Sequence, residues 1–151
     1  MFSVRVQEAD FDIKADMAAS LHDEAGIGAV VTFNGVVRPE VNGKVLKTMT
    51  LEHYPGMAEQ QLRALLEEAR TRWPLDAGLI IHRYGRLYPG DNIVLVVTAS
   101  KHRHAAFEAA EFLMDWLKTK APFWKKEELA DSGPHWVEER ATDLAATDRW
   151  S

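Results

Sequence analysis

Between residues 117 and 128 the chain reads LKTKAPFWKKEE, four lysines set around two large aromatics and a proline. Ammonium groups held this close depress one another's proton affinity, so one of them can become a neutral amine, able to act as base or nucleophile. On a helix Lys118 lies one position round from Leu117, beside the face that Met114 and Leu117 turn to the core. Pro122 ends that helix, which turns Phe123 to Lys126 back across its end, where Phe123 and Trp124 are expected to pack and steady the flanking lysines. For Lys120 and Lys126 a plainer reading is stronger: solvated side chains that complement the negative pole of the helix. Lys118 and Lys125 stand apart as the pair that could do chemistry.

A second basic cluster, SKHRH, occupies residues 100–104, where a strand runs into the long helix and Ser100 is a fitting N-cap. Lys101, His102, Arg103 and His104 crowd the positive helix pole, which costs a few tenths to about 1 kcal/mol each. Free amides beside basic side chains also make a ready anion site. The competing reading is that these side chains splay into water. Arg38, at the end of an apolar strand, has the same two readings: an anion contact or a solubilising charge.

Other chemistries lack their residues. GIGAVV at 26–31 precedes a strand instead of following one and misses the third glycine of a dinucleotide loop. No Walker loop, G-x-S-x-G elbow or H-E-x-x-H helix occurs. His102 and His104 point in different directions with nothing to complete a ligand set, so neither a metal nor a cofactor is expected. The chain has no cysteine, which excludes disulfides, thiolate ligands and a thiol nucleophile or persulfide carrier. A formal net charge of −5 argues against nucleic acid and anionic membrane as general partners, so any basic feature is local. No run approaches the length of a spanning helix, and MFSVRVQEADFD is too acidic for a secretory signal. A cytoplasmic protein is expected.

The elements that must position these residues follow from periodicity. With 151 residues and an apolar fraction of 46%, a single domain over 1–151 with a true core is expected. Ile13, Met17, Leu21 and Ala25 form a helical stripe closed by Gly26. Residues 28–37 read as a strand buried on both faces, followed by an Asn-Gly turn and a second strand with Val45, Met49 and Leu51 on one face. A helix over 57–73 carries Leu62, Leu65, Leu66, Ala69 and Trp73 on one side. Strands at 78–85 and 92–100, joined through a Pro89-Gly90 turn, precede a helix over roughly 101–119 with Phe107, Ala110, Met114 and Leu117 as its stripe. Strands that come in adjacent pairs predict an α+β fold, a mixed, largely antiparallel sheet with helices packed on one face and an edge that a partner could extend.

In GAVVTFNGVVR (28–38), LEHYPGMAE (51–59), RWPL (72–75), IHRYGRLYPGD (81–91), SKHRHAAFEAAEFLMDWLKTKAPFWKKE (100–127) and WVEER (136–140), the chain resembles the molybdopterin synthase catalytic (large) subunit family. The resemblance covers most of the chain in family order. It implies an α/β hammerhead fold and an enzyme, a sulfurtransferase of molybdenum cofactor biosynthesis. Such an enzyme installs the two dithiolene sulfurs on cyclic pyranopterin monophosphate. It implies as sulfur donor the C-terminal thiocarboxylate of a small ubiquitin-like sulfur-carrier subunit, and a homodimer of large subunits within a heterotetramer.

Carried over by position, the resemblance implies substrate contacts at Val36, Val37, Arg38, His102, Arg103, Lys126 and Glu127, with Lys118 and Lys125 nearest the chemistry. Arg38, His102 and Arg103 would grip the phosphate, Lys125 orient the donor carbonyl or the pterin, and Lys118 serve as general acid–base. At Val36 and Val37 only backbone or shape can contribute. The residue types agree, since two anions must be brought together and a chain without a thiol needs its sulfur delivered. The rival expectation is a non-catalytic basic cleft that clamps a partner's C-terminal tail.

Overall fold

The computed structural model describes residues 1–120, 122–137 and 140–151; Ala121 of the lysine segment and Glu138 and Glu139 of the WVEER segment lie outside the described residues. Nine strands and four helices are described, and the fold is α+β. In place of the single sheet expected, the strands form two sheets.

The first sheet has at its centre the two most apolar strands, β5 (Leu75–Arg83) and β7 (Asn92–Ser100), paired antiparallel. β1 (Phe2–Gln7) flanks β5 in parallel, and β2 (Ala29–Val36) flanks β7 antiparallel. Strand alternation divides the central residues between two cores. Ile80, Val94 and Val96 pack with Leu62, Leu66, Phe112 and Leu113 of α2 (Met57–Arg72) and α3 (Arg103–Thr119). Leu79, Ile81, Leu95 and Val97 turn the other way, against Phe11 and α1 (Ile13–Leu21). Helices therefore cover both faces of this sheet, not one.

The second sheet is built on β4 (Lys44–His53). β3 (Glu40–Val41) forms a hairpin with its start, through an Asn42-Gly43 turn with φ of 52° and 79°. β6 (Gly85–Leu87) lies on one flank and β8 (Phe123–Leu129) on the other, with β9 (Pro134–Val137) outside β8. Val37, Leu46, Met49, Leu51, Leu87 and Leu129 form its core, and Ile93 packs against both this core and that of α2 and α3. The chain returns from the second sheet to the first, from β6 to β7, through the expected Pro89-Gly90 turn. After β6, the Asp91 amide donates to the Tyr88 carbonyl at 2.9 Å, and Gly90 sits at φ 90°, a conformation that favours glycine.

Several expectations change. MFSVRVQ, not read as an element, is β1: Val4 is buried and Arg5 exposed, a short alternation easily passed over. β2 is an edge strand, with Val30, Phe33 and Val36 exposed; a β-branched run does not by itself say whether a neighbour covers both faces. In β4 a register shift between Leu46 and Thr48 reverses the phase, leaving Val45 exposed and Leu46 in the core. α1 stops at Leu21, before Ala25, and is capped by the Asp12 carboxylate, which accepts from the Ala15 amide at 3.0 Å. Ser100 does not cap α3: its hydroxyl donates to the Pro74 carbonyl at 2.8 Å, and His102 holds the cap position. Phe107 on α3 is exposed, as is Trp124. Phe123 to Lys126 do not fold back as a turn but open β8, and the polar tail forms α4 (Ala141–Asp148).

Candidate active site

The site is set by how α3 returns along β7. It starts beside Thr98, whose hydroxyl donates to the Ala106 carbonyl at 2.7 Å, and its last turns lie over Ile93 and Val94 at the other end of the strand. Within four residues of α3's end the chain re-enters as β8, so Lys118 and Lys125 face each other across a cleft of about 650 Å³.

Each wall of the cleft comes from a different element. The end of β2 and the residues after it supply Asn34, Gly35, Val36 and Arg38, and β7 supplies Ile93 and Val94. Lys118 and Thr119 come from α3, Trp124 and Lys125 from β8, and Arg140 and Asp143 from the start of α4 and the residue before it. Among the described residues, four cations therefore share one cleft with a single carboxylate, that of Asp143. Gly35 is required at its position, because a Cβ there would meet Val94 Cγ1 at 2.7 Å. The α4 wall is fastened to α3: the Thr147 hydroxyl donates to the Asp115 carbonyl at 2.9 Å, and the Trp150 indole donates to the Asp115 carboxylate at 2.5 Å.

Lys118 is open to the cleft, yet its pKa lies below the ordinary lysine value. Loss of water around the ammonium is the main cause and the charge of Lys125 the next; Asp143 opposes them, while Arg38 and Arg140 push the same way as Lys125. A lysine at a helix C-terminus is otherwise favoured as a cation. The cleft can thus hold an anion against Arg38, Arg140 and Lys125 while Lys118 gives or takes a proton.

Of the nine positions expected from the sequence, Val36, Arg38, Lys118 and Lys125 line this cleft. Val37 sits in the second core, only 2% exposed, with its amide and carbonyl used by Asp91 and Gly90. Strand alternation turns Lys126 to the opposite face of β8, where its ammonium stands 5.0 Å from the centre of the Trp136 ring. Glu127 returns to the Lys125 side but is buried, and its Oε2 has no hydrogen-bond partner among the described residues. His102 and Arg103 are exposed at the start of α3; the fifteen residues from Arg103 to Lys118 amount to ~22 Å of helix, so within one chain they do not reach the cleft.

Sequence reasoning missed Asn34, Thr119, Arg140 and Asp143. Asn34 left a signal, a polar side chain inside an apolar run; its amide donates to Asn92 Oδ1 at 3.0 Å, and its own Oδ1 is buried with no partner among the described residues. Arg140 closes the WVEER segment that carries the resemblance but was given no role there, and Asp143 left no signal, since the tail has no strong periodicity.

Known proteins bear on this geometry. The family model described as MoaE protein matches residues 6–120. The chain is 53% identical over 149 residues to the molybdopterin synthase catalytic subunit of Mesorhizobium japonicum, covering 98% of this chain and 92% of that protein. The solved molybdopterin biosynthesis MoaE protein from Burkholderia ambifaria is 48% identical, with a TM-score of 0.84 over 99% of this chain and 98% of that one. The crystal structure of molybdopterin synthase from Staphylococcus aureus is 30% identical, with a TM-score of 0.81 over 89% of this chain and 96% of that one. A family match running from β1 to the end of α3, with half the residues shared over nearly the full length of a relative, means that this chain belongs to the MoaE family of molybdopterin synthase catalytic subunits.

Proposed function

We infer that this chain is the catalytic subunit of a molybdopterin synthase, transferring sulfur to cyclic pyranopterin monophosphate to form the dithiolene of molybdopterin. The observation that carries the reading is the gathering of Arg38, Lys118, Lys125 and Arg140 around one cleft, with the proton affinity of Lys118 lowered there. Both the phosphate-bearing pterin and a thiocarboxylate donor are anions, and their approach needs fixed positive charge that spares one amine for proton transfer.

Arg38 and Arg140 hold the phosphate, since a guanidinium fork suits bidentate contact with it. Lys125 orients the donor carbonyl or the pterin. Lys118 is the general acid–base as the thiocarboxylate sulfur bonds to the pterin side chain and the cyclic phosphate opens. Water then cleaves the acyl–sulfur bond, the carrier leaves as its carboxylate, and a second donor supplies the other sulfur of the dithiolene in the same way. The donor is the C-terminal thiocarboxylate of a small sulfur-carrier subunit, because this chain has no thiol of its own. Residues 1–151 act as one domain, joined by Ile93 between the two cores. His102 and Arg103 serve the cleft of a second copy, in a homodimer with a small subunit at each end, working in the cytoplasm. Lys126 and Glu127 support the site through β8 without entering the cleft.

The test is reconstitution. The purified chain, mixed with thiocarboxylated small subunit and cyclic pyranopterin monophosphate, is expected to yield dithiolene-bearing molybdopterin. Tight capture of the small subunit's tail with no dithiolene formed would leave only a binding module.

A further inference from the structure

Behind the cleft lies an inner cavity of about 110 Å³, sharing Lys118, Lys125 and Phe123 with it. Apart from Lys118, Lys125 and His82, every side chain lining this cavity is apolar. The two ammoniums only donate hydrogen bonds while charged and the thioethers of Met49 and Met114 accept only weakly, so among the described residues the imidazole of His82 is the one strong acceptor lining it.

Its geometry fixes which nitrogen does so. Nδ1 stands 2.8 Å from the carbonyl oxygen of Arg83, and a carbonyl accepts only, so Nδ1 carries the hydrogen and Nε2 keeps a free lone pair. The ring lies parallel to Phe123, with centroids 3.8 Å apart and planes 13° apart. Phe123 stands two residues before Lys125 on β8, so the same stack steadies that strand. On β5 the side chain follows Ile80 on the face turned to α3, at the level of the helix's C-terminal end. Burial, the largest cause, pushes the imidazole down to about 4; the Arg83 hydrogen bond opposes it, and the charges of Lys118 and His53 add to it. At neutral pH the ring is uncharged.

We propose that His82 is a positioning residue for Lys118, its Nε2 accepting a hydrogen bond from the lysine ammonium through a water in the inner cavity. A cavity of this volume far exceeds the ~10–15 Å³ that one water requires. A lysine has many rotamers, and this contact selects the one that points Nζ to the junction of cavity and cleft. Among the described residues, the other charged groups around that ammonium are Lys125 on β8, Arg38 after β2, and Arg140 and Asp143 at α4. Only Asp143 among these also favours the charged form, and it does so from the cleft side.

The inference rests on the acid–base role given to Lys118, and its test separates the two. His82→Asn retains a donor for the Arg83 carbonyl but is too short to reach the cavity, His82→Phe keeps only the stack, and His82→Gln can present an amide oxygen where Nε2 stood. The Asn and Phe variants are expected to lose about 10- to 100-fold in kcat with KM little changed, and Gln to recover most of the loss. In Asn and Phe the Lys118 limb of the kcat–pH profile moves to lower pH, since a bond favouring the ammonium is gone. Carbon-13-labelled lysine spectra read the same shift without turnover. Equal losses in Asn and Gln, with Lys118 titrating as in the unmodified protein, overturn the inference and leave only a structural ring. In the unmodified protein, long-range nitrogen-15 spectra are expected to show Nε2 without a proton; an Nε2–H tautomer overturns it equally. Full turnover by Lys118→Ala would instead remove the role of the lysine, while its titration would still report on His82.

Discussion

The two ends of α3 carry similar residues in opposite circumstances. At the start, His102 and Arg103 are exposed, Lys101 lies 3.4 Å from Asp76, and His104 pairs with Glu108 at 2.7 Å. Here the helix pole is positive and disfavours cations, but water screens them. At the far end the pole is negative and favours a cation, yet Lys118 holds its proton less tightly than an ordinary lysine. Loss of water around the ammonium, on a side chain that stays open to the cleft, and the charge of Lys125 therefore outweigh the pole. Enclosure of the ammonium by a cleft and the cations gathered there, not residue type or helix polarity, separate a tolerated charge from a reactive one.

Removing the walled cation is the harshest trial of this contrast. Lys118→Ala is expected to lower dithiolene formation by about 10²- to 10⁴-fold, the usual range for a general acid–base. Its melting temperature should not fall, because the change takes away a partly desolvated ammonium that Lys125, Arg38 and Arg140 repel. Near-normal turnover would mean that the lowered proton affinity serves no chemistry.

A second trial asks whether the open end works in another molecule's cleft. Lys118→Ala and Arg103→Ala are each expected to be nearly inactive alone. Mixed and reassociated, they form hybrid dimers with one intact and one doubly impaired site, which restores roughly a quarter of unmodified activity if exchange in a two-fold dimer is random. Activity that never rises on mixing would confine each cleft to its own chain.

How far these arrangements were legible in the residues differs from one to the next. β5 and β7 were plain, being continuous apolar runs. β8 was obscured because Pro122 and the lysines suit a helix end, and what makes 123–129 a strand is pairing to β4, where Lys125 meets Leu51 and Glu127 meets Met49. Local sequence does not encode a partner some seventy residues away. The division of the cations was within reach: a helix long enough to hold both clusters already sets Arg103 and Lys118 ~22 Å apart. His82 also left a trace, an imidazole amid GLII, whereas Arg140 and Asp143 depend on where α4 docks on α3.

His82 offers a thermodynamic measure of the walled end. Its pKa is about 4 in the fold against 6.5 when unfolded. Above pH 6.5 neither state takes the proton; as pH falls toward 4 the unfolded chain takes it and the folded one does not. Stability is therefore lost on acidification, about 3 kcal/mol from this group by pH 4. Urea unfolding between pH 7 and 4.5 should show a steeper loss for the unmodified protein than for His82→Gln. Parallel curves would mean that the imidazole is hydrated, and the distinction between the two ends would narrow.

The smallest effect belongs to the open end. Arg103→Glu replaces a cation by an anion in the first turn of α3, where the helix pole is positive. Unfolding at low ionic strength should register a gain of about 0.3–1 kcal/mol, shrinking as salt is added. The sign survives dimerisation, because a cleft holding Arg38, Lys118 and Lys125 of the other copy is itself positive and would welcome the carboxylate in the absence of substrate. The same substitution should weaken pterin binding, since the added anion competes with the phosphate. Stability and activity then move in opposite directions from one side chain. A variant that is less stable at low salt would show that Arg103 is held by a specific contact, and that the start of α3 is not the open, screened end that the contrast requires.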